Sequence, residues 1–230
     1  MRPRLGVVVV EPHAVVRAGL GMLVGDQPDM QVLAYAGSAD ECLRAMKRIR
    51  RSRPVVLVGL GLPGERDSLW LMGTLRERCP VATILASGAG ADGRTISRAL
   101  FVGADGYLDK DVPPAEFLQA IRRAAGGELV LAGAPVDWVG SIAEGNGGRR
   151  NIESRLTRRE QEVLKAAAQD MTAREIARRL GVRERTVTTH LGRIYGKLGV
   201  NSRVGAVIEA ARSGLVAVVS PESEQGSRST

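Results

Sequence analysis

Short apolar runs and amphipathic stretches alternate through the first 125 residues of the chain. Runs at 6–10, 31–36, 55–58, 82–86 and 106–108 have strand length and no polar alternation. Between and after them, apolar positions recur at helical spacing over 14–24, 39–50, 67–78, 92–102 and 114–125. Strands without alternation are buried on both faces, which marks a parallel sheet covered by helices. Five such strand-helix units predict an α/β flavodoxin-like domain over residues 1–132, with strand order 2-1-3-4-5. In that architecture function gathers at the carboxyl ends of the strands. Here those ends carry Glu11-Pro12-His13, Gly59-Leu60-Gly61, Ser87-Gly88 and Asp109-Lys110.

A different pattern takes over at residue 156. Thr157-x-x-Glu160 and Thr172-x-x-Glu175 are capping boxes, each followed by apolar residues at helical spacing. Gly181 supplies the left-handed stop of the second helix, and a third helix follows almost at once. Together with a last helix near 203–213, this predicts a small all-α four-helix domain over 154–217 containing a helix-turn-helix. In the third helix Val187, Leu191, Ile194 and Leu198 form one apolar stripe. Arg185, Thr189, Gly192, Arg193 and Gly196 fall near the opposite face, flanked by Thr188 and Lys197. A helix divided this way can pack on its own domain with one side and enter a major groove with the other. Arg pairs bidentately with guanine, and Thr offers a hydroxyl and a methyl to base edges. The alternative is a solvated amphipathic helix with ordinary surface residues. The capped helix and the glycine turn before it favour the first reading.

Charge strengthens it. The chain carries 33 Lys and Arg against 25 Asp and Glu. Residues 154–216 hold 13 of the bases and only 6 of the acids, whereas residues 1–132 hold 17 and 14. Neutralising phosphates is the simplest use for such a block, and double-stranded DNA is the expected partner. A membrane surface would ask for large apolar residues that the domain's own core consumes, so no membrane partner is expected.

Residues 133–153 read as a linker, with room for a short helix near 138–142, and residues 218–230 as a polar, disordered tail. Cys42 and Cys79 lack metal-ligand or CxxC spacing and read as small core residues of a reducing, cytoplasmic compartment. Neither a membrane-spanning run nor a signal-peptide pattern is evident. Gly59-Leu-Gly61-Leu-Pro-Gly64 matches G-x-G-x-x-G, but the following strand ends in Ala86-Ser87-Gly88 without an acid for a ribose, which argues against a dinucleotide site. His13 and His190 are the only histidines and belong to different domains. No catalytic constellation is visible, and no enzyme is expected.

The helical segment resembles the LuxR/NarL-type helix-turn-helix of bacterial transcription factors. The matching residues are Leu156-Thr157-x-Arg159-Glu160-x-Glu162-Val163-Leu164, Glu175-Ile176-Ala177-x-x-Leu180, Thr186-Val187-x-x-His190 and Lys197-Leu198-Gly199-Val200. The resemblance implies that the helix near 184–198 enters the major groove, with Arg185, Thr186, Thr188, Thr189, His190, Gly192, Arg193 and Lys197 as DNA-facing residues. It implies a homodimer contact on DNA through the last helix, at Val204, Val207, Ile208 and Ala211. Where Gly192 stands, family members often carry a long side chain. This shifts the expected base readout to Arg185, Thr188, Thr189 and Arg193.

The first domain resembles the receiver domain of response regulators. The matches are Val10-x-x-His13-x-x-Val16-Arg17-x-Gly19-Leu20, Leu62-Pro63 and Gly103-Ala104-Asp105-Gly106-Tyr107-Leu108-x-Lys110-Asp111. The resemblance implies two Mg²⁺-binding acids after the first strand, and here those positions are Glu11 and Pro12. It implies an Asp phosphoacceptor ending the third strand, and here that position is Gly59. Ser87, Tyr107 and Lys110 match the switch hydroxyl, switch aromatic and phosphate-binding Lys. Glycine offers no nucleophile, and one carboxylate is too little charge for Mg²⁺, so no metal or other cofactor is expected. Lys110 is expected to pair with Glu11 or Asp109, or alternatively to bind an acidic metabolite. The expectation is a DNA-binding transcription regulator of atypical response-regulator type, acting without aspartyl phosphorylation. The alternative is a small-molecule or nucleotide sensor, or a protein-binding adaptor, whose receiver-like pocket takes a ligand or a regulatory protein.

Overall fold

The computed structural model describes residues 4–49, 53–135, 155–169, 171–212 and 215. The possible helix near 138–142 and the tail lie outside them. Contacts divide the chain into two compact units, residues 1–134 with 199–205 and residues 135–198 with 206–230.

The first unit alternates β1 (Leu5–Val10), α1 (Ala14–Gly25), β2 (Met30–Ala36), α2 (Ala39–Met46), β3 (Val55–Gly59), α3 (Ser68–Arg78), β4 (Thr83–Gly88), α4 (Gly93–Val102), β5 (Gly106–Asp109), α5 (Pro114–Ala125) and β6 (Val130–Ala132). The sheet is parallel, in order β2-β1-β3-β4-β5-β6. The expected five-strand order is present and extended by β6, which pairs Gly106 with Val130 and Leu108 with Ala132. β6 is not evident in the sequence because three residues are too few to carry a period of two, and they lie two residues beyond Gly126-Gly127. As an edge strand β6 is stabilised by its partner β5 rather than by its own pattern.

The apolar runs became strands because both faces are covered. Val7, Val9, Leu57 and Leu85 point to the side where Val24 of α1 and Phe117 and Ile121 of α5 complete one core. Val8, Val10, Val56 and Val58 alternate with them and are equally buried. The register matters for function. Val10 is opposite Val58 and Gly59 is opposite Ser87, so residues 11, 59 and 87 line up side by side at the carboxyl edge.

The second unit contains α6 (Arg158–Ala167), α7 (Ala173–Leu180) and α8 (Glu184–Leu198), followed by α9 (Arg203–Arg212). Both capping boxes form: Thr157 and Thr172 each accept from the backbone of the Glu three residues on, and each Glu accepts in return from the Thr backbone. Gly181 is left-handed at φ 64°, which lets the Val182 amide reach back to the Ala177 carbonyl at 3.0 Å. Val187, Leu191, Ile194 and Leu198 are the buried stripe of α8, as the spacing predicts.

Candidate functional site

At the carboxyl edge of the first unit, Glu11 turns its side chain inward and is 1% exposed. Its Oε2 lies 2.6 Å from Lys110 Nζ. Its Oε1 accepts from the His13 amide at 3.1 Å and lies 2.8 Å from His13 Nδ1. Of the two carboxylates expected as partners for Lys110, Glu11 is the one engaged. Burial alone would raise the Glu11 pKa, but Lys110 and His13 outweigh it and hold the carboxyl below its ordinary range. Pro12 contributes only its carbonyl, which with that of Glu11 accepts from Arg17 Nη1.

Gly59 ends β3 directly beside this carboxylate. A Cβ at residue 59 would lie 2.5 Å from Glu11 Oε2 and 3.2 Å from the Val10 carbonyl oxygen. The volume that a side chain at 59 would occupy is therefore filled by Glu11. Ser87, opposite Gly59, is 1% exposed, and its Oγ has no hydrogen-bond partner among the described residues.

Tyr107 is fully buried, and its hydroxyl donates to Asp109 Oδ2 at 2.7 Å. Burial and this carboxylate push the phenol pKa upward. Asp109 also accepts from the amides of Gly90 at 3.0 Å and Asp111 at 2.9 Å. Burial opposes ionisation of Asp109, but these donors outweigh it and lower its pKa. Asp109 thus fastens Tyr107 to the β4–α4 loop. Sequence reading placed it at a strand end without this role. Period-two alternation, which puts 107 and 109 on one face of β5, was the available signal.

On α8, Arg185, Thr186, Thr188, Thr189, Gly192 and Arg193 are exposed. The hydroxyls of Thr188 and Thr189 donate to the carbonyls of Glu184 at 3.1 Å and Arg185 at 2.9 Å. Their methyls and remaining lone pairs are what they present outward. Gly192 is open, with nothing within 4 Å of an added Cβ. Two of the expected DNA-facing residues are less exposed than the others. Lys197 Nζ lies 2.6 Å from Glu160 Oε2 and ties α8 to α6, because Glu160 is 3% exposed and requires a counter-charge. His190 is half-buried, and its Nδ1 is enclosed without a partner among the described residues. On α9, Val207, Ile208 and Ala211 are only 4, 5 and 8% exposed, so these apolar positions are covered within the single chain. The Val204 side chain lies outside the described residues.

A receiver-like α/β unit joined to a helix-turn-helix unit is the class these elements define. Residues 7–122 match the response regulator receiver domain, and residues 154–210 match the luxR family of bacterial regulatory proteins. The nitrate/nitrite response regulator protein NarL of Escherichia coli K12 is 30% identical over 88% of this chain and 93% of its own. The transcriptional regulatory protein UhpA of the same organism is 32% identical over 86% and 93%. Among solved structures, a LuxR-family two-component response regulator from Aurantimonas is 28% identical with a TM-score of 0.53, covering 61% of this chain and 96% of that one. The chain belongs to the response-regulator family, with a LuxR-type helix-turn-helix, and is a DNA-binding transcriptional regulator.

Proposed function

We propose that the chain regulates transcription from double-stranded DNA without aspartyl phosphorylation of its receiver domain. The carrying observation is the filled site at Gly59. The residue ending β3 has no carboxylate, and the neighbouring carboxylate, Glu11, is buried and engaged by Lys110. A phosphoacceptor needs a free nucleophile, and Mg²⁺ needs several hard oxygen ligands. Glu11 is committed, and Asp109 is engaged by Tyr107 and two backbone amides. No Mg²⁺ or other cofactor is assigned. Incubation with acetyl phosphate and Mg²⁺ is expected to leave the chain unmodified, and acid-labile phosphate on the protein would refute phosphorylation independence.

The DNA-facing side of the proposal rests on α8. Arg185, Thr186, Thr188, Thr189 and Arg193 read the major groove, with the open backbone at Gly192 allowing close approach. Lys197 acts through α8 packing rather than by touching DNA. The chain works as a cytoplasmic homodimer whose DNA-bound contact is made by α9. A gel shift titrated with salt tests the α8 assignment: Arg193→Ala is expected to weaken binding and reduce the salt slope by about one. Unchanged affinity and slope would remove Arg193 from the interface.

A further inference from the structure

We infer that Glu11 is the residue that closes the receiver site, so that reintroducing an aspartate at position 59 cannot by itself reopen it. This assignment rests on the phosphorylation-independent reading and names its cause. Loss of the side chain at 59 and the inward turn of Glu11 are two halves of one arrangement.

The sheet register makes residues 11 and 59 neighbours on adjacent strands, one step beyond the pair Val10–Val58. Glutamate has the reach to cross that gap, and its Oε2 ends 2.5 Å from where a Cβ of residue 59 would sit. The carboxylate is the tip of a flexible side chain and could swing away if it were free. It is held by Lys110 Nζ at 2.6 Å, His13 Nδ1 at 2.8 Å and the His13 amide at 3.1 Å. Its burial to 1% exposure adds a penalty for leaving these partners. Any side chain at 59 therefore has to displace Oε2, the oxygen that meets Lys110, and the Val10 carbonyl at 3.2 Å narrows the space from the other side.

The consequence for Lys110 is equally direct. Its side chain is 17% exposed and already has a full counter-charge, so an incoming anion would have to compete with a covalently tethered carboxylate. Glu11 thus supplies from β1 the negative charge that Lys110 would meet on β3 in a chain with an acid at 59. The site is occupied from within. Ser87 Oγ, buried beside Gly59 without a partner among the described residues, is the part of the edge that this internal carboxylate does not serve.

A double-substitution cycle on the full-length protein tests this. Gly59→Ala is expected to lower the midpoint of thermal unfolding by about 4 °C or more in the native background, and by no more than about 1 °C when Glu11→Ala has emptied the space. Gly59→Asp is expected to be worse than Gly59→Ala with Glu11 present. In the Glu11→Ala background it should raise the midpoint, because the introduced carboxylate then becomes the partner of Lys110. With acetyl phosphate and Mg²⁺, Gly59→Asp alone is expected to remain unlabelled. An equal cost of Gly59→Ala in both backgrounds would overturn the assignment, as would acid-labile phosphate on the single Gly59→Asp variant. Phosphate on the unsubstituted protein is a separate result: it would strike the phosphorylation-independent reading, whereas the cycle reports on Glu11.

Discussion

Lys197 Nζ reaches Glu160 Oε2 at 2.6 Å, joining the last turn of α8 to the first turn of α6. Glu160 is also the reciprocal half of the Thr157 capping box. One buried carboxylate therefore both caps α6 and anchors α8.

Lys197→Met should consequently act on stability more than on DNA. Unpairing Glu160 is expected to cost on the order of 1–2 kcal/mol, comparable to losing a helix cap and a charged hydrogen bond. The salt slope of DNA binding should stay as in the unsubstituted protein, while Arg193→Ala lowers it. Chemical unfolding and a salt-titrated gel shift on the same two variants check this. A lowered slope for Lys197→Met would put its ammonium on a phosphate after all.

Gly192 offers a substitution with opposing effects. An added methyl meets nothing within 4 Å, so Gly192→Ala should stabilise α8 by about 1 kcal/mol. If DNA approaches the backbone closely there, the same methyl should weaken binding. Melting temperature and affinity are expected to move in opposite directions. A variant that is more stable and binds equally well would show that Gly192 is only an unfilled surface position.

Acid should unfold the protein in a defined window. Burial raises the pKa of both Glu11 and Glu160, but Lys110 and His13 in one case, and Lys197 and Thr157 in the other, reverse the sign and hold both below the ordinary value of 4.5. A carboxyl with a depressed folded-state pKa stabilises the fold fully above its unfolded value, and that contribution is lost as pH falls through the folded value. The contribution of these two groups to the melting temperature should be constant between about pH 7 and pH 5 and should fall away below about pH 4.5. Glu11→Gln and Glu160→Gln should each flatten that fall. An unaltered acid limb in both would show that these carboxyls do not govern it.

Lys110→Met should raise the Glu11 pKa. Without the ammonium, only the two His13 contacts offset burial, and the buried carboxylate loses its lysine counter-charge at neutral pH. The expected cost is about 3 kcal/mol near neutrality. The deficit should shrink as acidification protonates Glu11, so the variant and the unsubstituted protein converge on going from about pH 7 to pH 5. A deficit independent of pH over that range would mean that Lys110 contributes packing rather than charge.

The positions that local pattern could define were defined by sequence. Unbroken apolar runs such as Val7–Val10 need cover on both faces, so they imply a parallel sheet whatever the helices do. Capping boxes at Thr157 and Thr172 and the left-handed stop at Gly181 are short-range chemistry, settled within a few residues. The apolar stripe of α8 follows from its period alone. Gly59 and Pro12 stand, without any structure, where the resemblance implies carboxylates. What replaced them was not legible, because the answer joins residues 11, 59 and 110, and which carboxylate meets Lys110 depends on strand register. The same holds for Lys197, which pattern alone places among the DNA-facing residues. Only packing of α8 on α6 turns it toward Glu160, 37 residues away. Strand β6 was hidden for a related reason, since three residues hold their place through the neighbouring strand. Periodicity and caps are properties of a segment, whereas pairing of buried charges is a property of the three-dimensional neighbourhood, where each ion must find a partner or bear the full cost of desolvation.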